Sequence, residues 1–187
     1  MLVTYQSKEA VEILQKTGEL SLKEEDRKYT HLALDDDCVN HPFEYAYNYI
    51  INRMQIYPKD NDIKYPLWAW YRMNGRRKPT KTFDEIHKGN YRIIFEISDD
   101  QVLLTDFEMF SYILAGGLYF RLSKEDEAKY EPAITKEKNE YFYPNLDYMK
   151  QINHKKDGRV YFSSHHNSVQ ATFWKLTMDM VKDIKLI

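Results

Sequence analysis

The residues best suited to chemistry are concentrated in the stretch 65–72, which reads YPLWAWYR. It holds two of the three tryptophans, Trp68 and Trp70, between tyrosines. Alternation along a β-strand predicts that both indoles share one face with Arg72, while Tyr71 lies on the other. Such a face either fills a core or lines a cleft for a flat or anionic ligand, and the pattern leaves both interpretations open.

A basic cluster follows this stretch directly. It comprises Arg72, Arg76, Arg77, Lys78 and Lys81. The preceding Asn74-Gly75 pair favours a tight turn, because both residue types accept a positive φ at low cost. Cations beside aromatic rings are typical of sites that bind phosphates and stacked bases, although a charge run is equally typical of a solvated face. We therefore expect nucleic acid as a partner through Arg72, Arg76, Arg77 and Lys78.

Several elements must position these residues. A strand is predicted over Leu2–Gln6, followed by a helix that Ser7 caps and Gly18 ends. The apolar stripe of that helix comprises Ala10, Ile13 and Leu14. A second helix, from Pro42, is expected to pack on the sheet. The other predicted elements are strands at 91–97, 169–176 and 181–187 and a helix capped by Thr105 or Asp106. This order favours an α+β domain with a mainly antiparallel sheet.

Composition bounds the class of protein. The chain has 187 residues, 43% of them hydrophobic and 15% aromatic, which predicts one ordered domain spanning 1–187. The net charge of −2 argues against a protein that binds nucleic acid through its overall charge. The single cysteine, the lack of a membrane-length apolar run and the lack of a signal-like start favour the cytoplasm. Adjacent His165 and His166 have no ligand spacing that would support zinc.

Four motifs resemble a bacterial family catalogued as a domain of unknown function. They are an opening Thr4-Tyr5-Gln6 strand, a Tyr-Pro-Ile-Trp-Ala-Trp-Tyr signature at 65–71 with Leu67 replacing Ile, a Leu-Leu-Ser-Asp-Phe segment at 103–107 with Thr105 replacing Ser, and a Val-Gln-Ala-Thr-Phe-Trp strand at 169–174. The resemblance spans almost the whole chain. It implies common descent and carries no activity with it.

The order of these motifs is also similar to that of ADP-ribosyltransferase-like domains, especially those that act on nucleic acids. That resemblance implies a split antiparallel sheet with flanking helices, NAD as a substrate, and transfer to nucleic acid or protein in a toxin or phage-conflict setting. The residues that it assigns to NAD are Tyr5, Gln6, Trp68, Trp70, Tyr71 and Arg72. It places Gln170 and Thr172 at the reacting ribose.

The chain departs from that pattern where the late strand usually carries a catalytic glutamate, because Thr172 stands there. The catalytic acid would then come from Glu96, Asp106 or Glu108, of which Asp106 is our choice. The alternative is a module that binds a nucleotide or nucleic acid without chemistry. A third hypothesis is a regulatory protein whose tyrosine-rich segment 130–158 contacts a protein partner.

Overall fold

The computed structural model describes residues 1–30, 32–33, 42–52, 54, 57–107, 110–111, 155–156, 159–160 and 168–187. These residues form a mixed α+β fold built on a six-stranded sheet in which every neighbouring pair is antiparallel. This confirms the predicted α+β class and the antiparallel sheet. The predicted features at His165-His166 and most of 130–158 lie outside the described residues.

The strands and helices are as follows. The large sheet contains β1 (Leu2–Gln6), β3 (Leu67–Arg72), β4 (Tyr91–Phe95), β5 (Leu103–Asp106), β8 (Val169–Phe173) and β10 (Val181–Leu186), in the order β10-β4-β1-β3-β8-β5. Two small sheets pair β2 (Glu19–Ser21) with β9 (Lys175–Thr177) and β6 (Lys155–Lys156) with β7 (Arg159–Val160). The helices are α1 (Lys8–Thr17), α2 (Pro42–Ile51) and α3 (Lys81–Ile86), with 3-10 turns at Glu24–Tyr29, Asp99–Gln101 and Met178–Met180.

Helix α1 begins and ends where the sequence predicts. The Ser7 hydroxyl accepts a hydrogen bond from the Ala10 amide at 3.3 Å, which satisfies one of the free donors of the first turn. Gly18 adopts φ 83° and its amide donates to the Leu14 carbonyl at 2.9 Å. That left-handed conformation favours glycine, so the helix stops there.

The buried face of α1 differs from the prediction at one position. Val11 and Leu14 are 3% and 0% exposed and belong to the main core, whereas Ile13 is 50% exposed. Consecutive helical residues point about 100° apart, so a helix that buries Leu14 turns Ile13 away from the sheet. The prediction of a buried Ile13 is therefore wrong.

The core lies between α1 and one face of the sheet. Ile93 and Phe95 of β4 are fully buried, as their alternation predicts, and Phe95 packs against Phe173 with ring centroids 5.1 Å apart. Helix α2 packs on the sheet through Tyr47. The ring centroids of Tyr47 and Trp68 lie 5.7 Å apart in an edge-to-face arrangement. The expectation that this helix covers the sheet is confirmed.

Strands β1 and β3 pair over a much shorter length than their neighbours. Their ladder has one register pair, Val3 with Trp70, whereas β1 and β4 pair along all five residues from Leu2 to Gln6. The C-terminal half of β1 and the N-terminal half of β3 therefore lie side by side without a continuous backbone ladder.

Three local features were not anticipated by the sequence. Helix α3 follows the basic cluster, with Thr80 as its N-cap accepting from the Phe83 amide. The predicted strand 169–176 is interrupted at Trp174, which separates β8 from β9. Thr105 belongs to β5, and its hydroxyl has no hydrogen-bond partner among the described residues, so it does not cap a helix.

No described helix is long and apolar enough to span a membrane.

Candidate functional site

A cleft of about 1160 Å³ lies over the part of the sheet where β1 and β3 stop pairing. Its size slightly exceeds the range of about 300–1,000 Å³ that is typical of small-molecule sites. The lining includes Thr4, Tyr5, Gln6, Ser7, Glu9, Ile13, Glu19, Lys23, Glu25, Asp26, Trp68, Trp70, His87, Phe107, Phe110 and Gln170. Among the residues predicted for the site, Tyr5, Gln6, Trp68, Trp70 and Gln170 line this one cleft.

Side-chain hydrogen bonds join β1 to β3 on the floor of the cleft. The Thr4 hydroxyl donates to the Trp68 carbonyl at 2.9 Å, and the Gln6 side-chain nitrogen donates to the Thr4 oxygen at 2.8 Å. Thr4 is 3% exposed, so this short chain is shielded from water. Gln6 is thereby held through its nitrogen, and its amide oxygen is the atom that this chain of bonds leaves for a ligand.

Aromatic rings form one wall of the cleft. The ring centroids of Trp68 and Phe110 lie 5.1 Å apart, and those of Trp70 and Phe107 lie 4.7 Å apart in an edge-to-face arrangement. Both indoles are half-buried, and both face the cleft. They therefore combine packing with exposure, which is the arrangement that lets a planar ligand ring stack against an indole.

Gln170 lies next to this wall on β8. It pairs across the strands with Trp70 on one side and Thr105 on the other, so the three side chains share a face of the sheet. Gln170 is 6% exposed, and its side-chain nitrogen has no hydrogen-bond partner among the described residues. A buried donor without a partner costs about 1–3 kcal/mol. Because that nitrogen is itself buried, a ligand oxygen would accept its hydrogen bond only after the Gln170 amide turns toward the cleft.

Thr172 occupies the position at which the resemblance expects a catalytic glutamate. It pairs with Trp68, is completely buried and does not line the cleft. Its hydroxyl, like the Trp68 indole nitrogen, has no partner among the described residues. The structure thus brings Gln170 to the cleft and keeps Thr172 beneath the surface.

A network of polar side chains holds Tyr5 at one end of the cleft. The Tyr5 hydroxyl donates to Asp84 at 2.8 Å, and Asp84 is paired with Arg92 at 2.6 Å. The Tyr5 ring stacks on the His87 imidazole, with centroids 4.1 Å apart and an interplanar angle of 15°. Asp183 lies 3.9 Å from the other Arg92 nitrogen, so the guanidinium lies between two carboxylates.

Tyr5 and His87, the two rings of this network, have pKa values shifted from their ordinary values. Burial, followed by the hydrogen bond to Asp84, raises the pKa of the Tyr5 phenol above its ordinary value. Burial lowers the pKa of His87, and the Asp84 charge opposes that change. Both rings are therefore neutral near pH 7, which suits a stacked pair.

Sequence reasoning missed Asp84 and His87. They belong to α3 and the turn after it. His87 lines the cleft and Asp84 binds Tyr5 only because α3 lies beside β1. The available signal was Thr80, a helix-capping residue type three positions before Phe83. The run of cations before Thr80 drew attention away from this capping signal.

Tyr71 and Arg72 do not line the cleft, contrary to the prediction. The register between β3 and β8 shifts between Trp70 and Arg72, so Arg72 pairs with Val169. This bulge interrupts the alternation that placed Arg72 with the tryptophans. Tyr71 packs against the main core, and its ring is covered by the Arg77 guanidinium at 3.6 Å.

The three candidate catalytic acids lie in different places. Glu96 is exposed, pairs with Lys182 at 3.3 Å and does not line the cleft. Asp106 is the last residue of β5, and its side chain lies outside the described part of the structure. Glu108 lies outside the described residues altogether.

Four carboxylates from α1, β2 and the 3-10 turn at Glu24–Tyr29 also line the cleft. Of the four in the lining, Glu19 is paired with Lys175 at 3.2 Å and Asp26 accepts from the Lys23 amide at 2.9 Å. Hydrogen bonds to its own backbone amide and to Ser7 lower the pKa of Glu9, which is therefore ionised near neutral pH. These carboxylates favour a cationic part of a ligand.

The cations Arg76, Arg77, Lys78 and Lys81, here called the basic turn, lie outside the cleft. Asn74 and Gly75 have φ 46° and 77°, and the Met73 and Arg76 backbones exchange hydrogen bonds of 2.8 and 2.9 Å. The predicted tight turn is confirmed. The basic turn borders a shallow depression of about 730 Å³ on the surface.

Within the residues that the structure describes, no group of three or more histidine, cysteine, aspartate or glutamate side chains could hold a metal ion. The cleft therefore offers hydrogen bonds, aromatic faces and carboxylates as its means of binding.

Comparison with known proteins gives a family and nothing closer. No curated protein and no solved structure matches the chain. A family model described as a domain of unknown function, DUF3841, matches residues 1–182. That match covers nearly the whole sequence, and the chain belongs to this family.

Proposed function

We propose that the protein is an NAD-consuming ADP-ribosyltransferase that modifies a macromolecule, either nucleic acid or protein, in a toxin or phage-conflict setting. One observation carries the proposal: Gln6, Trp70 and Gln170, from three different strands, line one cleft where β1 and β3 stop pairing. A sheet that opens between two central strands is also what an ADP-ribosyltransferase-like fold requires for NAD.

The reaction breaks the bond between ribose C1′ and the nicotinamide nitrogen. Nicotinamide leaves with the bonding electron pair, an oxygen or nitrogen of the acceptor forms the new bond to C1′, and the acceptor proton passes to a base or to solvent. The positive charge that develops on the ribose is stabilised by nearby oxygens that are already oriented.

The cleft residues have distinct roles in this proposal. Trp70 and Trp68 stack against the nicotinamide ring, and the Gln6 amide oxygen and the Gln170 side-chain nitrogen bind the ribose hydroxyls. Ionised Glu9 adds negative potential to the cleft, which favours the cationic transition state. Arg72 has no part in the cleft, so its predicted contact with phosphate is not retained.

The test is turnover of NAD by the purified full chain. NAD labelled in the nicotinamide reports release, and NAD labelled in the adenine reports transfer to components of a cell extract. We expect Gln170→Ala to lower nicotinamide release at least tenfold. Gln101→Ala, an exposed glutamine in a 3-10 turn, is the matched control and should leave the rate unchanged. Absence of both release and transfer would exclude the transferase.

A second candidate is a binding module that recognises a nucleotide or nucleic acid and does no chemistry. The buried Thr172 favours it, because this residue stands where the resemblance expects the catalytic carboxylate. Thermal unfolding with NAD or ADP-ribose separates the two candidates when the nucleotide is recovered afterwards. A stabilised protein with intact NAD supports binding alone.

A further inference from the structure

A patch of positive charge lies beside the cleft, and its cations make no ion pair within the described part of the chain. Arg76, Arg77, Lys78 and Lys81 fall within six residues of a chain whose net charge is −2. All four are exposed, and none makes an ion pair with a described residue. Four unpaired cations so close together repel one another, and a polyanion would relieve that repulsion.

The turn that carries these cations is fixed to the sheet. Besides its two internal backbone hydrogen bonds, it is tied to the start of β8 through Asn74. The Asn74 amide donates to the Ser168 hydroxyl at 3.0 Å, and that hydroxyl donates to the Asn74 side-chain oxygen at 3.1 Å. Met73, 1% exposed, anchors the turn in the core. The charges are therefore held at a set position on the surface.

Arg77 is further oriented by an aromatic ring. Its guanidinium carbon lies 3.6 Å from the centroid of the Tyr71 ring. Stacking of this kind leaves the in-plane N–H groups of arginine free to donate, and those groups match the geometry of a phosphate. Lysine at this position would keep the charge but lose the plane.

The basic turn is connected to the cleft through aromatic contacts. Trp70, which lines the cleft, meets the edge of Phe83 at 5.4 Å, and Phe83 belongs to α3, which begins at Lys81. Glu9 and Glu25 also line the cleft, whereas the turn carries only cations. A phosphodiester backbone is thus attracted to the turn, and an uncharged base can enter the cleft beside its aromatic wall.

We propose that the basic turn is the docking surface for the phosphodiester backbone of a single-stranded nucleic acid, one base of which enters the aromatic cleft. That last clause rests on the proposed function, since it makes the nucleic acid the acceptor. An acidic protein would also meet the charge. A nucleic acid fits better, because arginine pairs with phosphate through two N–H groups and the adjacent aromatic wall stacks with bases.

The experiment is fluorescence polarisation of the full chain with a labelled single-stranded oligonucleotide of about 12 residues, across a range of salt concentrations. The triple variant Arg76→Ala, Arg77→Ala, Lys78→Ala should bind at least tenfold more weakly. Each lost phosphate contact reduces the slope of log affinity against log salt by about 0.7, so the slope should fall by about 2. Arg77→Lys alone should give a smaller loss.

The matched control removes the same charge elsewhere, with Lys16→Ala, Lys59→Ala and Lys64→Ala at three exposed positions. This control variant should bind the oligonucleotide with the affinity of the original protein and with the same slope of log affinity against log salt. An equal loss in both triple variants, or no loss in either, would overturn the proposal, as would equally tight binding of polyglutamate. Nicotinamide release is measured in parallel. If the protein binds the oligonucleotide but releases no nicotinamide, the docking proposal is supported and the transferase proposal fails. If it releases nicotinamide but does not bind the oligonucleotide, the transferase proposal is supported and the docking proposal fails.

Discussion

Asp84 joins side chains that lie far apart in the sequence. It accepts a hydrogen bond from Tyr5, 79 positions earlier, and pairs with the half-buried Arg92. Because Tyr5 in turn stacks on His87, one carboxylate orients two rings at the end of the cleft. The pKa values of these two rings give tests of the network that need no ligand.

The first prediction concerns the imidazole of His87. Burial lowers its pKa, and Asp84 partly restores it, so Asp84→Asn should lower the pKa of His87 further. NMR titration of the ring protons measures both values. A depressed pKa means that stability is present above the unfolded value near 6.5 and is lost as pH falls through the folded value. A rise in the His87 pKa in the Asp84→Asn variant would contradict the assignment.

The second prediction concerns the phenol of Tyr5. Its raised pKa means that its stabilising contribution is complete below the unfolded pKa of about 10 and is lost as pH rises through the folded value. Tyr5→Phe removes the hydrogen bond and should lower the free energy of unfolding by about 1 kcal/mol at pH 7. Urea unfolding at pH 7 to 11 should show this difference shrinking above pH 10. A constant difference would count against the Tyr5–Asp84 bond.

Residue-level prediction succeeded where a side chain follows from strand period alone. Tyr5 and Trp70 lie in regular strands, so their presence on β1 and β3 could be predicted from the sequence. Arg72 was misplaced because a bulge has no clear signature in a single sequence. Asp84 was missed because its contacts depend on how α3 packs against β1, which no local pattern encodes.

At the scale of elements, α1 serves two surfaces with neighbouring residues. Leu14 is completely buried against the sheet, whereas Ile13 lines the cleft and is half exposed. The helix therefore stabilises the core with one face and shapes the candidate site with the next.

This division predicts a difference between two adjacent truncations. Leu14→Ala should lower the free energy of unfolding by about 2–5 kcal/mol, since it leaves a cavity in the core. Ile13→Ala should change it by less than about 1 kcal/mol, because half of that side chain is already in water. Chemical denaturation measures both. Similar losses at the two positions would mean that α1 is rotated relative to the sheet described here.

The existence and type of most elements could be predicted, but not the way they assemble. Capping residues and alternation gave α1, β1, β3, β4 and β10 with small errors at their ends. The sheet order β10-β4-β1-β3-β8-β5 could not be predicted, because each pairing brings together strands separated by long and variable stretches. The short β1–β3 ladder, on which the cleft depends, is a property of that assembly.

At the scale of the whole molecule, charge is divided between the basic turn and the cleft. The net charge of −2 combines that turn with carboxylates that line the cleft. Composition alone argued against nucleic acid, and the proposal of nucleic acid rests on this local arrangement. A separation of this kind orients an approaching polyanion before contact, which affects association rates more than affinity.

The position of β10 at the margin of the sheet has a consequence for solubility. Among the described residues β10 pairs only with β4, so its outer backbone groups can template the addition of a strand from another chain. Lys182, Asp183 and Lys185 are exposed along it, and such charges oppose addition. We expect Lys182→Val with Lys185→Val to cause concentration-dependent self-association in light scattering. Lys16→Val with Lys59→Val, equally apolar but at exposed positions outside the sheet, should stay monodisperse. Lysines that contribute nothing to the cleft would then be what keeps a strand-rich chain from aggregating.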